Sequence, residues 1–511
     1  MSRFSLPLRA LTKPARAAVL PVRRPLTRPF SVSCCLRDDI SSRKWSTPLS
    51  KRLAEAISIT GPIPVASYMR MCLTSDIGGY YTGALGKDRE QIGLKGDFIT
   101  SPEISPLFGQ IVGLWFITEW MAQNANRPLQ DVDIIEVGPG RGTLMSDAMR
   151  IVSSHALVNR VKNIYMVEAS AEMRLEQKKR LCGEEAPLVH DKAAGIWTCM
   201  WKGKAPVQIT WVETIQSVPK SPERMPLIVA HEFFDALPIH IFQSVPVSGS
   251  DTKHTPSSPP APTQVSPETE KSAVVNTEWR ELVVAPSPPD ATHQSLKTPP
   301  IERVGAVPDF QLHCSQGHTR HSRFLPEMHE RYRSAKSKPG TVIEICPDAD
   351  MYASDFAARI GGNDSFTPEN RVGAALIIDY GQSDAIPANS LRGIKEHQRV
   401  SAFSEPGLVD LSADVDFKGL ADAFLDSSEH VEVHGPVMQG DFLSMMGMKE
   451  QARTIAESIA DKALAEKIRA SAERLMDKSP SGMGKVYKML AVIPENSGRR
   501  VPVGFGGDIP V

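Results

Sequence analysis

The chain has 511 residues, 41% of them hydrophobic, which is room for two or three domains and enough apolar content for a real core. Its formal net charge of −1 conceals an asymmetry: residues 1–37 carry Arg3, Arg9, Lys13, Arg16, Arg23, Arg24, Arg28 and Arg37 and no acid. The remaining 50 basic residues face all 59 acidic ones, and an acidic body is a poor nucleic-acid binder, so no nucleic-acid partner is expected.

The first 37 residues read as a mitochondrial presequence: Arg-rich, hydroxyl-bearing, free of acids and without a long apolar run. Arg28-Pro-Phe30-Ser-Val-Ser33 resembles a two-step cleavage signal that would leave Asp38 as the first residue. A matrix destination is expected. The most apolar stretch, Leu107–Ala122, contains Gln110 and Glu119 and is too short and too polar to cross a bilayer, so no membrane span is expected. Seven cysteines without a C-x-x-C pair fit a reducing compartment and no disulfide framework.

From residue 45 to 125 the pattern is helical. Leu49, Leu53 and Ile57 step by four, as do Val65, Met69 and Leu73, and Ser101-Pro102-Glu103 reads as a helix start with Ser at the N-cap. From 130 to 245 strands and helices alternate. Asp133–Glu136 is a strand, Leu144–Ser153 a helix, Asn163–Glu168 a strand and Ala171–Leu181 a helix. That alternation opens a parallel α/β sheet, to which Leu227–Ala230 and Ala374–Ile378 add buried strands. Residues 246–308 form a Pro-rich insert with twelve prolines, read as largely disordered in its first half, with Trp279–Val284 a strand returning to order. The rest of the core follows over 309–495, with helices at Val415–Leu425 and Met448–Met476 forming a cap.

The chemistry concentrates in a few places. Glu136-Val-Gly138-Pro139-Gly140-Arg141-Gly142 follows a strand and precedes a helix, where glycines permit a tight turn and close approach of a ligand. A dinucleotide fold would need Gly at position 143, which is Thr143; the spacing fits the methyltransferase pattern E-x-G-x-G-x-G. Backbone N–H groups at the helix start can receive the carboxylate of a methionine moiety. A purely structural turn is the rival explanation. Glu168 ends the second strand, where a carboxylate can accept from both hydroxyls of a ribose, although strand-end acids are often solvated surface charges. Glu136, Gly138, Pro139, Gly140, Arg141, Gly142 and Glu168 are therefore the candidate cofactor contacts, and S-adenosyl-L-methionine the expected cofactor.

His231-Glu232-Phe-Phe-Asp235 follows the strand Leu227–Ala230, at the sheet edge where ligands sit. Glu232 and Asp235 are the candidate catalytic residues, two carboxylates that suit a cationic substrate. An acidic helix cap beside a core Phe pair explains the spacing equally well. Asp97 and Thr100 are possible further contacts. His313, Cys314, His318 and His321 have no established zinc spacing, and no metal is expected.

Taken together the chain resembles the family of mitochondrial protein arginine methyltransferases also called complex I assembly factor 7. The resemblance lies in Lys95–Ser105, Glu136–Leu144, Ala230–Pro238, Glu344–Ala349, Ile378–Gly381, Arg392-Gly393 and Asp410–Phe417. It implies a Rossmann-like class I methyltransferase sheet of seven strands, with a helical N-terminal lead-in and a C-terminal helical cap. It also implies symmetric dimethylation of an arginine on a core subunit of respiratory complex I, of the iron–sulfur protein 2 type, in support of assembly. A non-catalytic assembly chaperone with a vestigial cofactor fold, or a small-molecule methyltransferase, is the alternative.

Overall fold

A computed structural model describes residues 43–82, 96–97, 99–125, 127–247 and 276–507. The presequence of residues 1–37 and residues 248–272 of the insert lie outside the described residues, as do Lys95 and Phe98.

The central sheet is built from seven segments in chain order: β1 (Val132–Val137), β2 (Val161–Val167), β3 (Gln208–Val212), β4 (Met225–His231), β5 (Ala374–Tyr380), β6 (Val431–Met438) and β7 (Tyr487–Pro494). Their spatial order is β6-β7-β5-β4-β1-β2-β3. Neighbours from β5 through β3 run parallel, and only β7 runs antiparallel, wedged between β5 and β6. Two short antiparallel strands, Ile196–Met200 and Val189–Asp191, extend the β3 edge to nine strands.

Strands buried on both faces carry continuous apolar runs, and successive residues feed opposite cores. Ile134, Ile164, Leu227 and Leu376 pack with the helices Pro106–Asn124 and Thr143–Val152 and with Phe442, Met448 and Leu475 of the C-terminal helices. Ile135, Tyr165, Ile228 and Ile377 pack with the helices Pro347–Gly361 and Phe417–Ser427. The apolar stretch around Leu107–Ala122 is thus a core helix, Pro106–Asn124, buried nearly all round. A Cβ on its Gly113 would lie 2.5 Å from the Ala148 carbonyl oxygen, so the glycine sets the close approach of Thr143–Val152. Among the described residues no helix is long and apolar enough to cross a membrane.

Several expected boundaries move for local reasons. Ser101 is not an N-cap: Thr100 precedes a single turn, Ser101–Ile104, and Ser105 caps the long helix by accepting from Leu107 N. The C-terminal amphipathic stretch is two helices, Met448–Ser458 and Lys462–Met476, because Asp461 accepts from the N–H groups of Ala463 and Leu464 and starts the second. These helices lie over one face of the sheet and lead into β7.

Between β4 and β5 the chain makes four strands of a second, antiparallel sheet, His240–Pro246, Thr277–Pro286, Phe310–Cys314 and Val342–Ile345, which Ile63–Pro64 from the N-terminal region joins. The second half of the Pro-rich segment is therefore part of the fold: Thr277–Pro286 is a central strand, and Glu302 pairs with Arg399. The N-terminal helices Pro48–Thr60 and Val65–Thr74 pack on this sheet through Leu53, Met69, Val284 and Phe310.

Candidate active site

The ends of β1, β2, β3 and β4 open onto one cavity of about 500 Å³. Its first wall is the glycine turn. Gly138, Gly140 and Gly142 have φ of +67°, +49° and +72°, the left-handed region that a side chain makes costly. A Cβ on Gly138 would meet Phe233 Cδ2 at 2.7 Å, so this glycine also admits the phenylalanine of the β4 turn. Pro139 and Arg141 line the cavity beside them. Gln177, fully buried on the helix Ala171–Cys182, fixes the turn: its amide donates to Gly140 O at 2.7 Å and Glu168 Oε2 at 3.1 Å, while its oxygen accepts from Trp211 Nε1 at 2.8 Å.

Two carboxylates face each other across this end. Glu168 accepts from Ser170 N at 2.8 Å and, chiefly through burial, is pushed up to about 7. Glu136 is 2% exposed and raised well above the carboxylate range, first by burial and then by the Glu168 charge. Its Oε2 is buried without a hydrogen-bond partner in this protein. Such an orphan oxygen is expensive unless a ligand supplies a donor. An adenosylated amino acid has ribose hydroxyls and an ammonium to give, so the residues present fit S-adenosylmethionine. Glu213 and Thr214, just after β3, line the same cavity.

The far wall is the turn after β4. Glu232 has φ +47°, unusual for a residue with a side chain, and that strain is held in place from two sides. Its N–H donates to Ile378 O at 2.9 Å, and Asp379 Oδ2 accepts from the N–H groups of Phe233, Phe234 and Asp235 at 3.1, 2.9 and 3.3 Å. The fully buried Asp379 is thus the clamp that shapes the turn. Glu232 Oε1 accepts from the Tyr487 hydroxyl at 2.7 Å, and that hydroxyl meets the Tyr380 hydroxyl at 2.5 Å. Burial pushes Glu232 up to about 8, assisted by the charges of Asp235 and Asp410. Neighbouring His231, buried with Nε2 3.4 Å from Glu232 Oε1 but in no hydrogen bond, is pushed down to about 3 by burial and stays neutral.

Of the expected site residues, Glu136, Gly138, Pro139, Gly140, Arg141, Glu168, Glu232 and Thr100 line the cavity. Gly142 sits behind them, where a Cβ would press on Gln177 Cγ at 3.2 Å. Asp235 turns the other way. Its Oδ2 accepts from Ser412 Oγ at 2.9 Å, with the Arg392 guanidinium close enough to oppose the rise that burial imposes on its pKa. Asp97 is also turned inward, accepting from Tyr80 Oη and Glu396 N at 2.8 Å each. Sequence reasoning missed the roles of Gln177, Asp379, Tyr380, Tyr487 and Asp410. Of these, Asp379 and Tyr380 carried a signal as part of the Ile378–Gly381 block and Asp410 as the first residue of the Asp410–Phe417 block.

A parallel sheet with one antiparallel strand at β7, a glycine turn after β1 and an acid ending β2 define an S-adenosylmethionine-dependent methyltransferase. A crystal structure from Burkholderia thailandensis with S-adenosyl-homocysteine bound has the same fold, with a TM-score of 0.58 at 19% identity over 96% of this chain and 97% of that one. Residues 111–437 match the family described as "Putative S-adenosyl-L-methionine-dependent methyltransferase". The chain is 31% identical to the rat protein named protein arginine methyltransferase NDUFAF7, mitochondrial, over 90% of its own length and 87% of the relative's. It is 30% identical to the human protein of that name, over 88% and 84%, and 31% identical to the Drosophila melanogaster homolog, over 87% and 85%. The chain belongs to this methyltransferase family, within the group that these NDUFAF7 proteins form.

Proposed function

We propose that the protein methylates an arginine side chain of a protein substrate, forming symmetric dimethylarginine on a complex I core subunit of the iron–sulfur protein 2 type. We place this activity in the mitochondrial matrix, after removal of the presequence. The observation that carries the arginine reading is Glu232: a carboxylate with its side chain only 8% exposed, on the wall of the cofactor cavity and backed by Asp235, Asp379 and Asp410. So many acids around one wall favour a cation. The relatives' names speak of a protein arginine methyltransferase; the finer points, symmetric product and complex I subunit, rest on the motif resemblance alone.

When bound, S-adenosylmethionine supplies an electrophilic methyl group on a sulfonium. A guanidinium stays protonated in water, with pKa above about 12, so orientation matters more than a strong base. Glu232 binds its planar N–H edge and aims one nitrogen at the methyl carbon. The transfer would exchange the sulfonium S–C bond for an N–C bond, leaving S-adenosylhomocysteine, and the nitrogen would give its proton to Glu232, ionised opposite the guanidinium and, with a pKa raised to about 8 by burial, a better proton acceptor than an ordinary carboxylate. Tyr487 holds Glu232 in place during the transfer. Asp235 and Asp379 shape the turn without touching the substrate.

Glu232→Gln keeps the shape of the turn and removes the charge. Cofactor affinity should stay near normal, while labelled-methyl incorporation into the purified complex I subunit falls by about 100-fold or more. Full methylation by this variant removes Glu232 from the mechanism. Complete assembly of complex I in depleted cells, with no methylation, supports the chaperone reading instead. In the same cells a tagged wild-type copy should fractionate with the matrix; recovery from the cytosol removes the targeting part of the reading.

A further inference from the structure

The antiparallel second sheet contains a cluster that the transferase chemistry does not use. Glu281 lies mid-strand in Thr277–Pro286 with its side chain fully buried. His240, the first residue of the neighbouring strand, brings Nδ1 to 2.7 Å from Glu281 Oε1. His321, in the first turn of the helix Arg320–Met328, brings Nδ1 to 3.5 Å from Oε2. The two imidazole centroids are 4.1 Å apart. One ligand atom from each of the three residues lies within 4.8 Å of the other two.

From this juxtaposition we propose that His240, Glu281 and His321 form a binding site for a divalent transition ion of the zinc type. Two imidazoles and a carboxylate are the donor set such an ion takes in sites with three protein ligands and an open position for water. Tetrahedral bonds of about 2.0–2.1 Å place ligand atoms about 3.3 Å apart, so the widest pair closes by at most about 1.5 Å and the His240 contact opens by less than 1 Å. The ion takes the Nδ1 lone pair of each ring, so each neutral imidazole carries its proton on Nε2. Glu281 is further held by the Thr319 hydroxyl, the second layer of support that ligating carboxylates need. His321 is 39% exposed in its side chain, which gives the ion an entry path, whereas His240 and Glu281 are closed off.

The site draws one member from the His-rich stretch of residues 313–321 and two from distant strands, which is why spacing did not reveal it. His318 is engaged elsewhere, at 3.0 Å from Glu278 Oε2. Occupancy would pin three elements together directly downstream of the turn that carries Glu232, since His240 follows it by only a few residues. The proposal stands apart from the methyl-transfer reading and can fail without it.

The test uses the full-length protein, stripped with chelator and titrated with Zn²⁺ against a competing indicator, with Co²⁺ as a spectroscopic replacement. One Zn²⁺ per chain should bind at micromolar or tighter affinity, and His321→Ala should weaken it at least 100-fold while leaving S-adenosylhomocysteine affinity unchanged. Glu281→Gln should do the same to the metal. The wild-type Co²⁺ complex should show visible d–d bands without the near-ultraviolet thiolate band that the exposed Cys314 would produce. No stoichiometric Zn²⁺, unchanged binding in His321→Ala, or a thiolate band in wild type would each overturn the assignment. The Co²⁺ spectrum needs no variant, so it decides the matter even if a substitution fails to fold.

Discussion

The hydroxyl of Tyr487, the first residue of the last strand, donates to Glu232 Oε1 at 2.7 Å across 255 positions of sequence. This bond lowers the pKa of Glu232 against the larger effect of burial. Tyr487→Phe should therefore cut methyl transfer by about 10- to 100-fold, the worth of a charge-assisted bond of roughly 1.5–3 kcal/mol. It should also push the pH–rate profile to higher pH, because Glu232 loses a donor to its charged form. Cofactor affinity should not change. A profile that keeps its midpoint in this variant would break the link between Tyr487 and the reactive carboxylate.

Gly140→Val should abolish cofactor binding. The residue has φ +49° and lines the cavity, so a branched side chain is both strained and in the ligand's volume. Circular dichroism should stay close to native, since the strands of the sheet do not depend on this turn. Calorimetry of S-adenosylmethionine binding is the measurement, and retained affinity would show that the ligand lies elsewhere.

Glu168 gives a pH prediction with a definite sign. Its pKa rises from 4.5 to about 7 on folding, so between those values the folded protein binds the extra proton and stability falls as pH rises through the window. Ligand affinity runs the other way. Ribose hydroxyls donate to the ionised carboxylate, so S-adenosylhomocysteine should bind more tightly as pH rises through about 7 and level off above. Glu168→Ala should cost about 1–3 kcal/mol of binding at pH 8 and flatten that dependence. A wild-type affinity independent of pH from 6 to 8 would contradict the ribose role.

Much of the site could be read from the sequence because its parts are local. Glu136 through Gly142 is one strand end and one turn, Glu168 is the next strand end, and β-α-β alternation makes both strand ends face the same way. The sequence could not show which way Asp235 points, because a carboxylate three residues after Glu232 reaches the cavity or Ser412 according to the turn alone. That turn is dictated by Asp379 from another strand. Gln177 and Tyr487 were invisible for the same reason: their partners are set by tertiary packing. Of the small second sheet only Trp279–Val284 is legible in the sequence; long connections interrupt the other strands, so no regular spacing announces them.

Removing residues 248–272 should leave cofactor affinity and melting temperature unchanged. The flanking strands are paired to their ends, Pro246 opposite Thr277, and Val247 N donates to Asn276 O at 2.8 Å, so the segment leaves and returns at one point. The deletion leaves three residues, 273–275, between Val247 and Asn276, a length that closes a hairpin. Lost S-adenosylhomocysteine binding in a folded deletion protein would mean that the segment reaches the cavity.

The placement of β7 has a consequence for how the protein is made. Because this strand sits between β5 and β6, the emerging chain has produced both neighbours before the piece that joins them exists. Until residues 487–494 have paired, the apolar edge of β5 is open and β6 has no partner in the sheet, a state prone to pairing with other chains. The same residues deliver the hydroxyl that holds Glu232. A partly folded or truncated chain can therefore possess the complete glycine turn and its acids while lacking the hydroxyl that fixes Glu232, so closing the sheet and finishing that wall of the cavity are a single event at the end of folding.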